Sequence, residues 1–368
     1  MVILAGEAAK TEGKGMKPTR VAAVSERVPA IDAIAAGGVR INRYLDASLA
    51  DTLAADATAG LRRVQKALPP KYFYDERGSR LFDAICDVPE YYLTRTEQAL
   101  LEGVSAEIIA LTRPTHLIEL GSGTSRKTRL LLDALTDQRP DACYVPIDVS
   151  EETLRQSALT LRGAYPSLQI HAIVGDYERH LIHVPRGGRR LVIFLGSTIG
   201  NFTRDAALGF LQSLGRLLRP DDALLLGLDL VKPVERLHAA YNDAAGLTAE
   251  FNRNLLRVLN RELAADFRLE QFEHLAFYDA RAAQIEMHLR AAEAHEVAVP
   301  ALGLTVSFAR GETIHTEISR KFSRAEGDAM LAAAGCEALR WYVAPDDAFA
   351  LALGLSSPAA RRGPGAGL

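Results

Sequence analysis

Five short and almost wholly apolar runs recur along the middle of the chain, at residues 116–121, 143–148, 169–174, 190–195 and 223–229. Between them, residues 126–137, 150–162 and 204–219 carry apolar side chains at helical spacing, and a helix over 99–111 leads into the first run. Leu191-Val192-Ile193-Phe194-Leu195 has no polar alternation, which suits a parallel strand covered on both faces. After Asp229 the texture changes. Residues 234–264 read as a helical stretch interrupted near Gly246 and Leu247, and alternating runs at 274–278, 284–291, 296–299 and 305–308 read as antiparallel strands. A helix over 325–335 and strands over 338–344 and 348–353 then close the main sheet. The pattern predicts an α/β sheet with a second α+β lobe, built from the N-terminal region and an insertion after the fifth strand. The boundaries are 21–95 and 231–321 for the second lobe, and 96–230 and 322–355 for the sheet domain. Residues 1–20 and the Gly- and Pro-rich tail 356–368 are expected to be disordered. A ligand site is expected between the lobes, beyond the strand ends.

Composition narrows the partners. With 368 residues, 48% hydrophobic, 24% charged and a formal net charge of -3, the chain has an ordinary globular balance. It has no long Lys/Arg cluster to bind nucleic acid and no apolar run long enough to span a bilayer. The N-terminus lacks the basic region and long apolar core of a secretory signal. Cys86, Cys143 and Cys336 are too far apart for a zinc motif or a disulfide framework, so no metal is expected and a reducing, cytoplasmic setting is. No coiled-coil pattern is present, which leaves a monomer as the expectation.

The candidate chemistry begins at Leu117-Ile118-Glu119-Leu120-Gly121-Ser122-Gly123-Thr124-Ser125, an apolar run entering a glycine turn. The next strand ends in Asp148, whose carboxylate can take both hydroxyls of a ribose. Gly175-Asp176-Tyr177 follows the third strand and offers an acceptor for an adenine amino group beside an aromatic ring. Gly196 to Phe202 follows the fourth. Each loop alone is as well explained by a helix cap or tight turn, but their shared order favours a nucleoside cofactor. Ser125 and Arg126 follow Gly123 where the dinucleotide fingerprint needs a third glycine, so a nicotinamide oxidoreductase ranks lower. S-adenosyl-L-methionine is the commonest nucleoside cofactor without a pyrophosphate. Lys127 stands where it can approach the methionyl carboxylate, and His315 is a candidate base.

Several segments together resemble one family. They are Lys71 to Ser79, Pro89 to Glu97, Glu119 to Lys127, Gly196 to Phe202 and Glu312 to Ser319. Across about residues 55–355 the chain is similar to the bacterial L-histidine Nα-methyltransferases of ergothioneine biosynthesis and related fungal enzymes. The resemblance implies a Rossmann-like class I methyltransferase sheet binding S-adenosyl-L-methionine and a second, substrate-binding lobe. It also implies three methyl transfers to the α-amine of L-histidine, giving hercynine. It assigns Tyr91, Asn201 and Tyr241 to the backbone groups of the amino acid. Tyr74 and the Gly196 carbonyl fall near the amine, Glu317 and Ser319 read the imidazole, and Met287 packs near the ring. Gly121, Ser122, Lys127, Asp148, Asp176 and Tyr177 fall on the cofactor side. Tyr177 stands where the family often has phenylalanine, Ile318 where asparagine is common, and Arg320 where an aromatic is common.

Two apart on an extended strand, Glu317 and Ser319 share a face while Ile318 takes the other. A carboxylate accepting an imidazole N–H beside a hydroxyl meeting the second nitrogen separates histidine from apolar side chains. Methylation of tryptophan or another aromatic amino acid is the nearest alternative, although a tryptophan pocket would favour a larger, less acidic wall. A non-catalytic S-adenosylmethionine-binding protein is the alternative from another class.

Overall fold

A computed structural model describes residues 38–45 and 49–357. The expected disorder of residues 1–20 and of the tail beyond Ser357 lies outside the described residues. The chain enters through β1 (Val39–Arg43), α1 (Leu49–Leu61), the short β2 (Lys66–Ala67), α2 (Glu76–Asp87) and α3 (Tyr92–Thr112). It then alternates through β3 (His116–Leu120), α4 (Arg129–Gln138), β4 (Cys143–Asp148), α5 (Glu151–Ala164), β5 (Gln169–Val174), α6 (Tyr177–His180), β6 (Arg190–Phe194), α7 (Arg204–Leu217) and β7 (Ala223–Asp229). The insertion holds α8 (Val234–Tyr241), α9 (Leu247–Leu263), β8 (Phe272–Asp279), β9 (Gln284–Ala291), β10 (His295–Val299), β11 (Leu304–Phe308) and β12 (Thr313–Arg320). The last elements are α10 (Arg324–Ala333), β13 (Cys336–Val343) and β14 (Phe349–Ser356).

Eight strands form one sheet in the order β1-β5-β4-β3-β6-β7-β14-β13, parallel from β1 to β7 and antiparallel across β14. The chain steps outward from β3 to β5, then returns to place β6 on the other side of β3. That reversal opens a crevice at the carboxyl ends of β3 and β6, where open α/β sheets bind ligands. Alternate strand residues go to opposite faces. Leu117, Leu191 and Ile193 pack against Leu101, Leu131 and Leu154 of α3, α4 and α5, while Ile118, Val192 and Phe194 pack against Leu211 and Leu331 of α7 and α10. This double cover explains why the runs read as continuously apolar.

A second sheet, β2-β12-β9-β8, has its own core with α1, α2, α8 and α9. On α9, Phe251, Leu255, Val258 and Leu259 make one apolar stripe that faces Ile285, Met287 and Leu289 of β9. Val39–Arg43, grouped with this lobe in the sequence reading, instead extends the large sheet beside β5, with Val39 opposite Ile170. Val39 and Ile41 are buried there, but two apolar residues in so short a run carry no signal for their partner. Ser356, expected in the tail, ends β14, and its N–H donates to Asp222 O at 2.8 Å.

One irregularity in β12 decides the site. His315 lies opposite His288, but Glu317 lies opposite the next residue back, Met287, so Thr316 is an extra residue in the ladder. Such a bulge re-aims the side chains beyond it. Thr316 is buried with Oγ1 at 2.8 Å from Asn252 Oδ1 and 3.0 Å from Met287 O, which fixes the bulge in place. Neighbours on β9 face opposite sides, so Glu317 shares the inner face with Met287 while His315 shares the outer face with His288.

Candidate active site

The glycine turn after β3 is shaped by its backbone. Gly121 and Gly123 have φ of +67° and +49°, which side chains with a Cβ rarely adopt. Gly121 N donates to Ile147 O at 2.9 Å, and Gly123 N donates to Asp148 Oδ2 at 2.8 Å. The other Asp148 oxygen accepts from Ser150 N at 2.9 Å. Asp148 thus clasps both the turn and the start of α5, and each oxygen keeps a lone pair for a further donor. Burial pushes its carboxyl up, against the pull of these N–H groups. Beneath the turn, Glu119 accepts from Thr128 and Tyr144, and burial pushes its carboxyl up to about 7. Ser122 Oγ is buried and has no partner in the protein. Buried hydroxyls are seldom left so, and this one fits a polar ligand lying in the turn.

At the next strand end, Asp176 Oδ1 accepts from Glu178 N at 2.8 Å and caps α6. Tyr177 packs edge-on against Phe194 and Phe210, with ring centroids 5.3 and 5.8 Å away. A Cβ added at Gly121 would stand 3.5 Å from the Tyr177 ring, so ring and turn face one another. Gly121, Ser122, Asp148, Asp176 and Tyr177 therefore line one end of the crevice.

Lys127 lies in the turn before α4, and its ammonium is paired with Glu97, a fully buried carboxylate of α3. Both Glu97 oxygens also accept from Gly196 N, at 2.8 and 3.0 Å. With that N–H engaged, the carbonyl is the polar group Gly196 has left for the crevice. Glu97 went unassigned in the sequence reading, although it ends the Pro89 to Glu97 motif. Asn201 closes the following turn, Thr198–Asn201. Gly200 in this turn sits so near β12 that a Cβ there would come within 2.9 Å of Arg320 O.

The second lobe supplies the opposite wall. Tyr74 stacks edge-on with Phe251 and Phe82, and Phe82, Tyr91 and Tyr241 continue the wall at centroid spacings of 6.2 and 6.3 Å. Burial first, then the charge of Glu317 and the Tyr177 hydroxyl, hold the Tyr74 hydroxyl well above the usual tyrosine range.

At the far end, Tyr241 OH donates to Ser319 Oγ at 2.7 Å, and Lys321 Nζ donates to Ser319 Oγ at 2.8 Å and to Tyr241 OH at 3.1 Å. Lys321 is fully buried and paired with Asp229 Oδ2 at 2.9 Å. Asp229 is also paired with Lys232, and both its oxygens lie 2.9 Å from Tyr92 OH. Burial alone would push Lys321 down, but Asp229 and Tyr241 hold it above the usual lysine range. Because Ser319 Oγ accepts from two donors, its own O–H is left to donate. Glu317, facing the same side, is an acceptor when ionised. Burial pushes its carboxyl up to about 7, with Lys321 pulling the other way.

Two outcomes differ from the sequence reading, and one, the outward-facing Ile318, agrees with it. His315 faces away from Glu317 and Ser319 and is no base for this crevice, because the bulge at Thr316 breaks the alternation. Ile318 and Arg320 also face away from the reading pair, lying opposite Glu286 and Gln284, and Arg320 is spent on Glu326 at 2.9 Å. Lys321 and Asp229 were missed. The signals were present, since Lys321 continues the period of two from Glu317 and Ser319, and Asp229 ends an apolar strand as Asp148 does.

A family profile described as a histidine-specific, S-adenosylmethionine-dependent methyltransferase matches residues 53–355. A histidine N-alpha-methyltransferase of Mycolicibacterium smegmatis is 51% identical over 311 residues, covering 84% of this chain and 97% of that protein. One from Mycobacterium tuberculosis is 49% identical over 298 residues, covering 81% and 93%. An L-tryptophan methyltransferase of Psilocybe serbica is 26% identical over 299 residues, covering 73% and 83%. Matched over most of its length by the profile and by two relatives near half identity, the chain belongs to the S-adenosylmethionine-dependent, histidine-specific methyltransferase family.

Proposed function

We propose that this protein methylates the α-amine of L-histidine three times, using S-adenosyl-L-methionine, to give hercynine for ergothioneine biosynthesis. The observation that carries the substrate is the donor–acceptor pair on β12. Ser319 is committed as a donor and Glu317 serves as an acceptor, which matches a neutral imidazole with one bare nitrogen and one N–H. Met287, the cross-strand neighbour of Glu317, packs beside the ring. Tyr91, Asn201 and Tyr241 hold the backbone groups of the amino acid, and Tyr74 with the Gly196 carbonyl borders the amine. Gly121, Ser122, Lys127, Asp148, Asp176 and Tyr177 hold S-adenosyl-L-methionine, which supplies an electrophilic methyl on a positive sulfur.

In each round the amine lone pair forms the new C–N bond as the methyl–sulfur bond breaks, and the nitrogen loses a proton before the next round. The protein must therefore orient the amine without depending on its hydrogen atoms, which are gone after three transfers. Anchoring at the ring meets this need, and the aromatic wall tolerates the growing cation. Burial lowers the pKa of an amine, so no dedicated base is needed.

The histidine panel is the direct test. Incubation with each free amino acid, followed by mass spectrometry, should add three methyl groups to histidine and none to tryptophan; preference for tryptophan would overturn the substrate. Asp148→Ala is expected to weaken cofactor binding about tenfold or more by calorimetry, since it removes an acceptor and loosens the turn. Unchanged cofactor affinity would refute the ribose role. The titration of Glu317 predicts a pH effect. Protonated, the carboxyl keeps an accepting oxygen but loses the charge that strengthens its bond to the imidazole N–H, so the KM for histidine should rise as pH falls from about 8 to about 6, by up to about tenfold. A flat profile, or one unaltered by Glu317→Gln, would contradict this.

We further propose that the protein works as a monomer in the cytoplasm, on small molecules alone. Among the described residues no helix is long and apolar enough to cross a membrane, and no disulfide joins the cysteines.

A further inference from the structure

The outer face of the four-stranded sheet carries a group of side chains that the methyl-transfer reading leaves unused. Glu286 and His288, two apart on β9, share that face, and His315 lies directly opposite His288 on β12. Two ligands at i and i+2 on one strand with a third across the ladder is an arrangement that converges three donors on one point. We infer that Glu286, His288 and His315 form a binding site for a divalent transition-metal ion of the zinc class.

The donor atoms of the three residues all lie within 4.8 Å of one another. His288 Nε2 is 3.0 Å from Glu286 Oε2, close to the roughly 3.3 Å between two ligands that share a tetrahedral ion at about 2.0 Å. His315 Nε2 is buried and has no partner in the protein, and the backbone of Glu317 hydrogen-bonds its ring. Such a bond orients a metal-binding imidazole and leaves its other nitrogen for the ion. His288 Nδ1 lies 3.3 Å from Thr313 Oγ1, and Gln284 Nε2 donates to Glu286 Oε1 at 2.9 Å. The Phe277 ring stacks on His288 with centroids 5.5 Å apart, which limits rotation of the imidazole. Two imidazoles and one carboxylate suit zinc, cobalt or nickel over calcium or magnesium, and three protein ligands leave a fourth position for water.

The site stands behind the substrate-reading strand. The bulge at Thr316 sends His315 to this face and Glu317 to the other, so a bound ion would tie β9 to β12 across the bulge that aims Glu317.

The test uses the full-length, untagged protein, stripped with chelator and kept in buffer free of histidine. Titration with Zn2+ by calorimetry is expected to show one ion per chain at micromolar or lower Kd. Co2+ is expected to give the visible ligand-field bands of a four-coordinate N/O site. Glu286→Gln and His315→Ala should each weaken Zn2+ binding by at least about tenfold, as loss of a ligand should exceed the usual effect of a supporting residue. Glu286 is partly buried on the outer face and glutamine matches its shape, so that variant should stay folded by circular dichroism. Absence of Zn2+ binding to the folded wild type, or binding undiminished by either substitution, overturns the site.

Discussion

Replacing Glu317 with alanine is expected to raise the Kd for L-histidine by about 10- to 100-fold while leaving S-adenosyl-L-methionine affinity within about twofold. Hydrogen bonds to an ionised partner contribute about 1.5–3 kcal/mol, and an imidazole N–H left unpaired in a closed pocket forfeits that amount. The cofactor residues lie on the large sheet, and Glu317 lies on β12 of the second sheet, so the two affinities should separate. Calorimetric titration of each ligand checks this, and a comparable loss of cofactor binding would refute the assignment. Glu317→Gln should fall between wild type and alanine, because the amide oxygen still accepts an N–H without the charge.

Replacing Lys321 with methionine is expected to cost about 3 kcal/mol of stability, which lowers Tm by about 5 °C or more. Removing one member of a buried ion pair leaves the other charge desolvated. Here Asp229 keeps Lys232 and Tyr92, so the lower part of the usual range applies. The same change should raise the KM for histidine about tenfold, since Ser319 loses one of the donors that commit its hydroxyl outward. A second variant separates the two effects. Asp229→Asn, which removes the counter-charge of both Lys321 and Lys232 but keeps the Lys321 donor at Ser319, should lose at least as much stability with a smaller rise in KM. Wild-type melting of either variant would contradict the buried pair, and wild-type KM in folded Lys321→Met would contradict the role of Lys321 at Ser319.

The apolar runs at 116–121, 143–148, 169–174, 190–195 and 223–229 correspond closely to β3 to β7, and the turns after them carry Gly121, Asp148, Asp176 and Gly196. These were legible because strand period, strand ends and glycine turns are local properties. The insertion was legible for the same reason, with β8 to β11 within two residues of the expected strands. β1 was not, because a five-residue edge strand has no local mark of its partner, and β5 lies some 130 residues away.

The sequence by itself determined the order of elements, the cofactor-side turns and the resemblance that pointed to histidine. It also placed Glu317 and Ser319 two apart, which is enough to put them on one face. Only the tertiary structure decided that His315 belongs to the opposite face, that Lys321 and Asp229 form one buried pair behind Ser319, and that Glu97 joins Lys127 to Gly196. Bulges and buried ion pairs arise from contacts between segments far apart in the chain. Their energy depends on the cost of desolvation and on the partner's position, neither of which is encoded in any short window of residues.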